Sequence, residues 1–112
     1  NNNFLNHLPT ELYALETVEI LYADNNLLNG TLSSGIGNMK SLVDFQIGRN
    51  QLRGSLPAEL GDLPNLRIFA AQRNLFYSSL PKTLGNNERL VKIDLRDNKI
   101  EGTIPSSLGM SR

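Results

Sequence analysis

The stretch that decides the fold is LVKIDLRDNKIEGTIP, residues 90–105. Its asparagine, Asn98, is the last of four that recur every 24 residues, after Asn26, Asn50 and Asn74, and a large apolar residue follows each one two positions later. A fixed period of this length is typical of a solenoid, in which each repeat buries its apolar side against the next. The sequence therefore predicts a single stacked array over residues 1–112, with about four and a half repeats.

Apolar residues recur in columns when the chain is aligned on this period, and two of the columns lie two residues apart. That spacing places side chains on one face of a strand, so short parallel strands are expected near residues 19–23, 43–47, 67–71 and 91–95. Ala23 and Ala71 are small for core positions, and the neighbouring Tyr22, Phe45 or Phe69 are expected to fill the space. Prolines and glycines at fixed later positions predict extended segments and about one turn of 3₁₀ helix on the other side of each repeat.

The repeated asparagine has a structural reason to be there. Its amide carries two donor hydrogens and an acceptor oxygen. At the turn after each strand, it is placed to satisfy backbone groups of its own repeat and of the adjacent one, which would be costly if left unpaired. We therefore expect a structural ladder of Asn26, Asn50, Asn74 and Asn98.

The spacing Leu90-x-x-Ile93-x-Leu95-x-x-Asn98-x-Ile100 resembles the leucine-rich repeat family, and LRGSLP at 52–57 with IEGTIP at 100–105 resembles its plant-type subclass. The resemblance implies an α/β solenoid, a right-handed superhelix with short parallel strands on the concave face and turns or 3₁₀ pieces on the convex side. It implies a second short strand flanking the main sheet, a concave face that binds protein or peptide, and a receptor-like, extracellular or secretory setting.

Composition narrows the classes of function. Eleven basic and eleven acidic residues cancel, so the chain lacks the basic excess that attracts nucleic acid. It has no cysteine, no clustered metal ligands, a single histidine (His7), and no apolar run of the about 20 residues that a membrane helix needs. We expect no enzymatic activity, cofactor or metal, no nucleic-acid partner, and no membrane insertion by this segment.

The candidate partner-binding surface is the outward side of the predicted strands, where residues differ between repeats while the core columns agree. Arg49 and Arg73 share a column in successive repeats, which places them about 5 Å apart, close enough to bind one carboxylate. The alternative is that they are solvated and pair with Asp94 or Asp97. The candidate residues are Tyr22, Asp24, Asp44, Gln46, Arg49, Gln72, Arg73, Lys92, Asp94 and Arg96.

Two further features carry weaker hypotheses. Asn29-Gly30-Thr31 is an N-glycosylation acceptor sequence, expected on an exposed turn, although one such match arises readily by chance in a chain this rich in Asn, Ser and Thr. Hydroxyl residues share another column, which consists of Thr31, Ser55, Ser79 and Thr103. Such a column suits either turn chemistry or a flat array that binds ice.

The leading functional hypothesis is a noncatalytic module that recognises protein or peptide through its concave sheet. The ends show no capping block of different composition, which predicts an array truncated at both ends, with neighbouring repeats or subunits there. The alternatives are a structural or scaffold subunit packed within a larger assembly, and ice-surface binding.

Overall fold

The computed structural model describes residues 8–101, and each repeat in it contributes two short strands and a 3₁₀ helix. The first strands of the repeats are β1 (Ile20–Tyr22), β3 (Asp44–Gln46), β5 (Ile68–Ala70) and β7 (Lys92–Asp94). The second strands are β2 (Asn29–Thr31), β4 (Gln51–Gly54), β6 (Leu75–Ser79) and β8 (Lys99–Glu101). The 3₁₀ helices are η1 (Thr10–Ala14), η2 (Ser34–Asn38), η3 (Ala58–Asp62) and η4 (Lys82–Asn86). His7 and Thr103 lie outside the described residues.

The strands form two parallel sheets, of order β1-β3-β5-β7 and β2-β4-β6-β8. In the main sheet each residue pairs with the residue 24 positions later, as Ile20 does with Asp44, so equivalent side chains stand in straight rows. The second sheet is offset, because Thr31 pairs with Arg53 and Arg53 pairs with Leu75. The predicted solenoid, its strand windows and its 3₁₀ turns are confirmed.

The core lies between the main sheet and the 3₁₀ helices, and it is continuous from repeat to repeat. Phe45 and Phe69, on adjacent strands, pack with their ring centroids 5.5 Å apart. Both rings are fully buried, as expected for the space beside the small Ala71. Tyr22, the third residue offered for this space, points away from the core and is 59% exposed, because its position on β1 is out of phase with the inward-facing residues.

The asparagine ladder is visible atom by atom at Asn50. Its Nδ2 donates to Ala23 O of the preceding repeat at 2.9 Å and to Ile47 O and Gly48 O of its own turn at 3.0 and 3.1 Å. Its Oδ1 accepts the backbone N–H of Leu28 at 3.1 Å. One buried side chain thus joins a turn to the repeat before it.

Asn74 and Asn98 repeat this pattern one and two turns later. The Oδ1 of Asn74 accepts the N–H of Leu52 at 3.0 Å, and that of Asn98 accepts the N–H of Phe76 at 3.0 Å. Asn26, in the first described repeat, donates to Ala23 O and Asp24 O of its own turn. The side chains of Asn50, Asn74 and Asn98 thus link successive repeats, while the side-chain bonds of Asn26 within residues 8–101 lie in its own turn.

Replacing Asn50 by Ala is expected to lower the free energy of unfolding by about 1 to 3 kcal/mol, because the carbonyls it serves cannot all reach water. Asn38→Ala is the matched control, since Asn38 is exposed at the end of η2 and should change stability by less than about 0.5 kcal/mol. Urea unfolding followed by circular dichroism measures both. Equal midpoints for the two variants would contradict a stabilising ladder.

Candidate functional site

The outward face of the main sheet presents two rows of side chains at the register of the strands. One row is Ile20, Asp44, Ile68 and Lys92, and the other is Tyr22, Gln46, Ala70 and Asp94. Backbone hydrogen bonds continue beyond the strands, for example from Ile47 N to Ala70 O and from Arg49 N to Gln72 O, both 2.8 Å. A third row of Asp24, Gly48, Gln72 and Arg96 therefore continues the same face.

A hydrogen-bonded cluster occupies the β1 end of this face. The Tyr22 hydroxyl donates to Asp44 Oδ2 at 2.8 Å, and Gln46 Nε2 donates to Asp44 Oδ1 at 3.0 Å. The bond to Asp44 raises the pKa of the Tyr22 hydroxyl, with smaller contributions from burial and from the charges of Asp44 and Asp24. The cluster fixes the Tyr22 ring in an exposed position beside Ile20, whose side chain is also 59% exposed.

An ion pair occupies the β7 end. Arg96 Nε and Nη2 donate to the two carboxylate oxygens of Asp94 at 2.9 and 3.0 Å. Burial is the largest single influence on Asp94 and raises its pKa. The hydrogen bonds from the Arg96 side chain and backbone, with the charges of Arg96 and Lys92, together outweigh burial and lower the pKa overall.

The centre of the face is shallow because it is built from small residues. Ala70 has no side chain beyond Cβ, and the Gln72 amide lies against the bare backbone of Gly48, so that a Cβ on Gly48 would come within 2.4 Å of Gln72 Nε2. Within residues 8–101 no protein group hydrogen-bonds Gln72 Oε1, which is sealed from solvent.

The two arginines of the candidate site lie on the rim where the strands end. Arg49 and Arg73 have φ of 59° and 60°, in the left-handed region, as do Asn25 and Asp97 at the equivalent positions. Arg73 Nε lies 3.4 Å from Asp97 Oδ2, with both side chains largely exposed. Within residues 8–101 the structure shows no ion pair for Arg49. Pairing with an aspartate, the alternative to partner binding, is therefore seen for Arg73 and Arg96. For Arg49, partner binding stays a prediction.

The left-handed column is the main feature that the sequence interpretation missed. Its four members, Asn25, Arg49, Arg73 and Asp97, are of three different residue types, so alignment on the repeat does not reveal their shared conformation. The available signal was weak, because only Asn25 and Asp97 belong to the residue types that favour this conformation.

The expected position of Asn29 was wrong. It begins strand β2 rather than lying on an exposed turn, and it is half-buried with its Oδ1 sealed from solvent. The neighbouring Gly30 has φ of 83°, which continues the strand in a conformation that glycine tolerates. The acceptor sequence is thus part of the second sheet, and its glycosylation stays a prediction.

The convex side carries an open hollow of about 230 Å³ between the ends of η3 and η4, away from the sheet face. Its polar lining includes Asp62, Asn87, Glu88 and Arg89. Across residues 8–101 no three His, Cys, Asp or Glu side chains group as metal ligands do. No helix in the described part of the chain is long and apolar enough to cross a membrane.

The Leucine Rich Repeat family model matches residues 89–110. The ectodomain of the plant membrane receptor kinase GASSHO1/SCHENGEN3 from Arabidopsis thaliana, solved in complex with CASPARIAN STRIP INTEGRITY FACTOR 2, superposes on 91% of this chain with a TM-score of 0.86 and 35% identity. The chain has the fold of a plant-type leucine-rich-repeat array. It spans 12% of the length of that ectodomain.

Two other solved structures place the array among plant proteins of different roles. The Arabidopsis receptor kinase HAESA, in complex with the peptide hormone IDA and the co-receptor SERK1, is 27% identical over 91% of this chain and 17% of its own, with a TM-score of 0.86. A plant ice-binding protein is 26% identical over 92% of this chain and 33% of its own, with a TM-score of 0.84. No curated protein matches the chain in sequence.

Gly48 and Gly61 are expected to respond differently to replacement by alanine. A Cβ on Gly48 would meet the flexible end of Gln72, whereas a Cβ on Gly61 would lie 2.4 Å from the backbone carbonyl of Thr83. Gly61→Ala is expected to cost about 1 to 3 kcal/mol of stability, as overpacking does. Gly48→Ala should cost under about 1 kcal/mol because Gln72 can move. Paired urea titrations test this, and equal losses would contradict the distinction.

The Asp94–Arg96 pair predicts a pH dependence. Because the pKa of Asp94 is lowered in the folded state, its contribution to stability is present above the pKa of the unfolded chain and is lost as pH falls through the folded pKa. Arg96→Gln should therefore raise the pKa of Asp94. At pH 7 it should lower stability only slightly, because the Arg96 side chain is largely exposed, and it should change nothing once Asp94 is protonated. Carboxyl NMR titration of both proteins measures the shift, and an unchanged Asp94 titration would contradict it.

Proposed function

We propose that the array is a noncatalytic module that recognises a protein or peptide through its concave sheet face. The observation that carries the proposal is the pair of arginines held in the left-handed conformation on the rim of that face. The surface comprises the ten candidate residues named from the sequence, with Arg49 and Arg73 as its carboxylate-binding element.

The left-handed conformation costs an ordinary residue about 1 to 2 kcal/mol, whereas Asn, Asp and Gly adopt it more readily. Asn25 and Asp97 show that these backbone positions accept such residues. Arginine occupies both middle repeats instead, at Arg49 and Arg73. A residue that the backbone disfavours, placed twice on an exposed rim, indicates that the side chain serves a purpose other than stability.

The chemistry of that rim suits an acidic group. Guanidinium groups form two parallel hydrogen bonds to a carboxylate. Asp97 holds the Arg73 side chain from one side, and Arg49 occupies the same position one strand away, about 4.8 Å across the sheet. A carboxylate on the partner would lie between them, with Gln72 at its side.

The similar plant ectodomains support this function, since HAESA and GASSHO1/SCHENGEN3 were solved with a peptide hormone and with CASPARIAN STRIP INTEGRITY FACTOR 2. This chain spans only a small share of the length of each of those proteins. Its own partner and its extracellular setting are therefore part of what we propose. The single array over residues 1–112 is part of the proposal too. A scaffold role is the competing function.

Ice binding receives less support from the second sheet. The regular hydroxyl array would need Thr31 beside Ser55, but the register pairs Thr31 with Arg53 and Arg53 with Leu75. Leu75 and Tyr77 are also exposed on β6 of the same sheet. A charged and apolar row of this kind does not present the repeated hydroxyl spacing on which the hypothesis rested.

The test uses the expectation that replacing the left-handed arginines by Asn raises the stability of the chain but weakens its affinity for peptides. A random linear-peptide library is selected on the immobilised 112-residue chain, and enriched peptides are measured against variants. Arg49→Asn is expected to raise the free energy of unfolding by about 0.5 to 1 kcal/mol, because it relieves the left-handed arginine. Arg49→Asn with Arg73→Asn should weaken acidic peptides at least 10-fold, or about 1.4 kcal/mol.

The matched control is Arg53→Asn, which removes an exposed arginine from β4 on the other sheet. It should leave peptide affinity unchanged. No enriched peptide at all would overturn recognition and favour the scaffold role. Equal losses in Arg53→Asn would move the binding surface to the second sheet.

A further inference from the structure

The outward face of the second sheet carries two large apolar side chains next to each other on one strand. Leu75 and Tyr77 alternate on β6 with Phe76, which is fully buried, so both point outward. They are 43% and 53% exposed, and we call the two residues the β6 strip. Single exposed apolar side chains are normal on a protein surface, so the strip indicates a partner only with a second observation.

The second observation is the charge on both sides of the β6 strip. Arg53 on β4 pairs with the first residue of the strip, and Lys99 on β8 pairs with the second. Both basic side chains are exposed, and among the side chains that the structure describes neither forms an ion pair. Asp97, which comes just before β8, pairs with Arg73 instead. The strip therefore lies between two positive charges that no described acidic side chain neutralises.

The distances on this face match the dimensions of an α-helix that lies along β6. Two positions along a strand advance about 6.6 Å, and four residues of a helix advance about 6 Å. Apolar residues four apart on a helix would therefore cover both residues of the strip. Arg53 and Lys99 lie two strands apart, or about 9.6 Å across the sheet, which is close to the width of a helix with its side chains, about 10 Å.

An extended segment fits this face less well than a helix does. Its side chains point alternately to opposite sides, so one side carries a single row of residues. The face requires an apolar row with acidic groups to the left and to the right of it. An amphipathic helix presents that pattern, because residues on the two flanks of its apolar stripe face the same surface as the stripe.

We infer that the outward face of the second sheet docks an amphipathic helix of a partner protein, with the apolar stripe of the helix on the β6 strip. Acidic residues on the two flanks of the stripe face Arg53 and Lys99. Charge complementarity of this kind orients a partner and selects it more than it adds affinity, while Tyr77 supplies a residue type that often contributes most of the binding energy. The inference goes beyond the proposed function, since it uses the other sheet and another kind of partner.

The probe is a set of Ala-rich peptides of about 18 residues, which is long enough for a helix to form in isolation. The first peptide has a Leu stripe at positions i, i+4 and i+7 with Glu on both flanks. The second has Gln in place of Glu, the third has Lys, and the fourth has the composition of the first in an order that breaks the stripe. Circular dichroism checks that all four have equal helix content.

Binding of each peptide to the 112-residue chain is measured by fluorescence anisotropy at low and high salt. The Glu-flanked peptide is expected to bind at least 10-fold more tightly than each of the other three, because only it combines the stripe with both acidic flanks. Its affinity should fall in high salt, since exposed charges are screened there.

Charge reversal on the chain tests the two basic residues. Arg53→Glu with Lys99→Glu should reverse the preference, so that the Lys-flanked peptide binds most tightly. The matched control, Lys40→Glu with Lys82→Glu, changes net charge equally at exposed lysines next to η2 and on η4, and should keep the preference. Folding of each variant is checked by circular dichroism.

Replacement of the β6 strip tests the apolar contact. Leu75→Thr with Tyr77→Thr removes both large side chains and keeps a residue type that suits a strand. It should weaken the Glu-flanked peptide at least 10-fold and leave the circular dichroism spectrum of the chain unchanged.

Four outcomes would overturn the inference. One is that no peptide binds. Equal binding of the Glu-flanked and reordered peptides would mean that the helical stripe is not recognised. An equal effect of the two charge-reversal variants would mean that net charge alone attracts the peptides. Self-association of the chain that is lost in Leu75→Thr with Tyr77→Thr would assign the strip to a second copy.

The inference and the proposed function fail separately. Library peptides that lose affinity in Arg49→Asn with Arg73→Asn and keep it in Arg53→Asn report the concave face. Helical peptides that change preference in Arg53→Glu with Lys99→Glu report the second sheet. Absence of either result leaves the other standing.

Discussion

The structure depends on one constraint, which is that the backbone turning away from the main sheet must have its polar groups paired inside the protein. Each asparagine of the ladder meets this need with a single amide. The Nδ2 of Asn50 reaches carbonyls of two successive repeats, and its Oδ1 accepts a backbone N–H from the earlier one. The bond that completes a turn is thus also the bond that stacks it on its neighbour, and the 24-residue period follows from repeating it.

This arrangement separates the residues that hold the frame from the outward residues of the main sheet, which vary between repeats. The inward side of each strand contributes core side chains such as Phe45 and Phe69, and the ladder asparagines stabilise the turns. The outward side chains are therefore not needed to stabilise the fold. The outward side can then carry groups that add nothing to packing, including the exposed Tyr22 and the unpaired Gln72 Oε1. It can also carry left-handed arginines at Arg49 and Arg73 that oppose stability.

The fold could be predicted from the sequence because its causes recur in every repeat. The columns of core residues, the strand positions and the ladder asparagine all follow from the period. The features that escaped prediction arise from contacts between unlike residues. Gly48 and Gln72 are 24 residues apart, and only the register shows that the amide of one lies on the backbone of the other. The offset of the second sheet, which carries Asn29 into a strand, likewise depends on backbone pairing that side-chain type does not encode.

The rigidity of the array suits the recognition that we propose for its concave face. Affinity is lower when flexible groups must be ordered on binding. A scaffold that is already rigid avoids most of that loss of conformational entropy. Tyr22 and Gln46 hydrogen-bond the carboxylate of Asp44, and Arg96 forms two hydrogen bonds to that of Asp94, so these two carboxylates are held in place on the face. Because neighbouring strands lie about 4.8 Å apart, the recognition proposed for this face would depend on the interval between the charges of the partner. Specificity can therefore change by single substitutions on the face while the ladder beneath it stays the same.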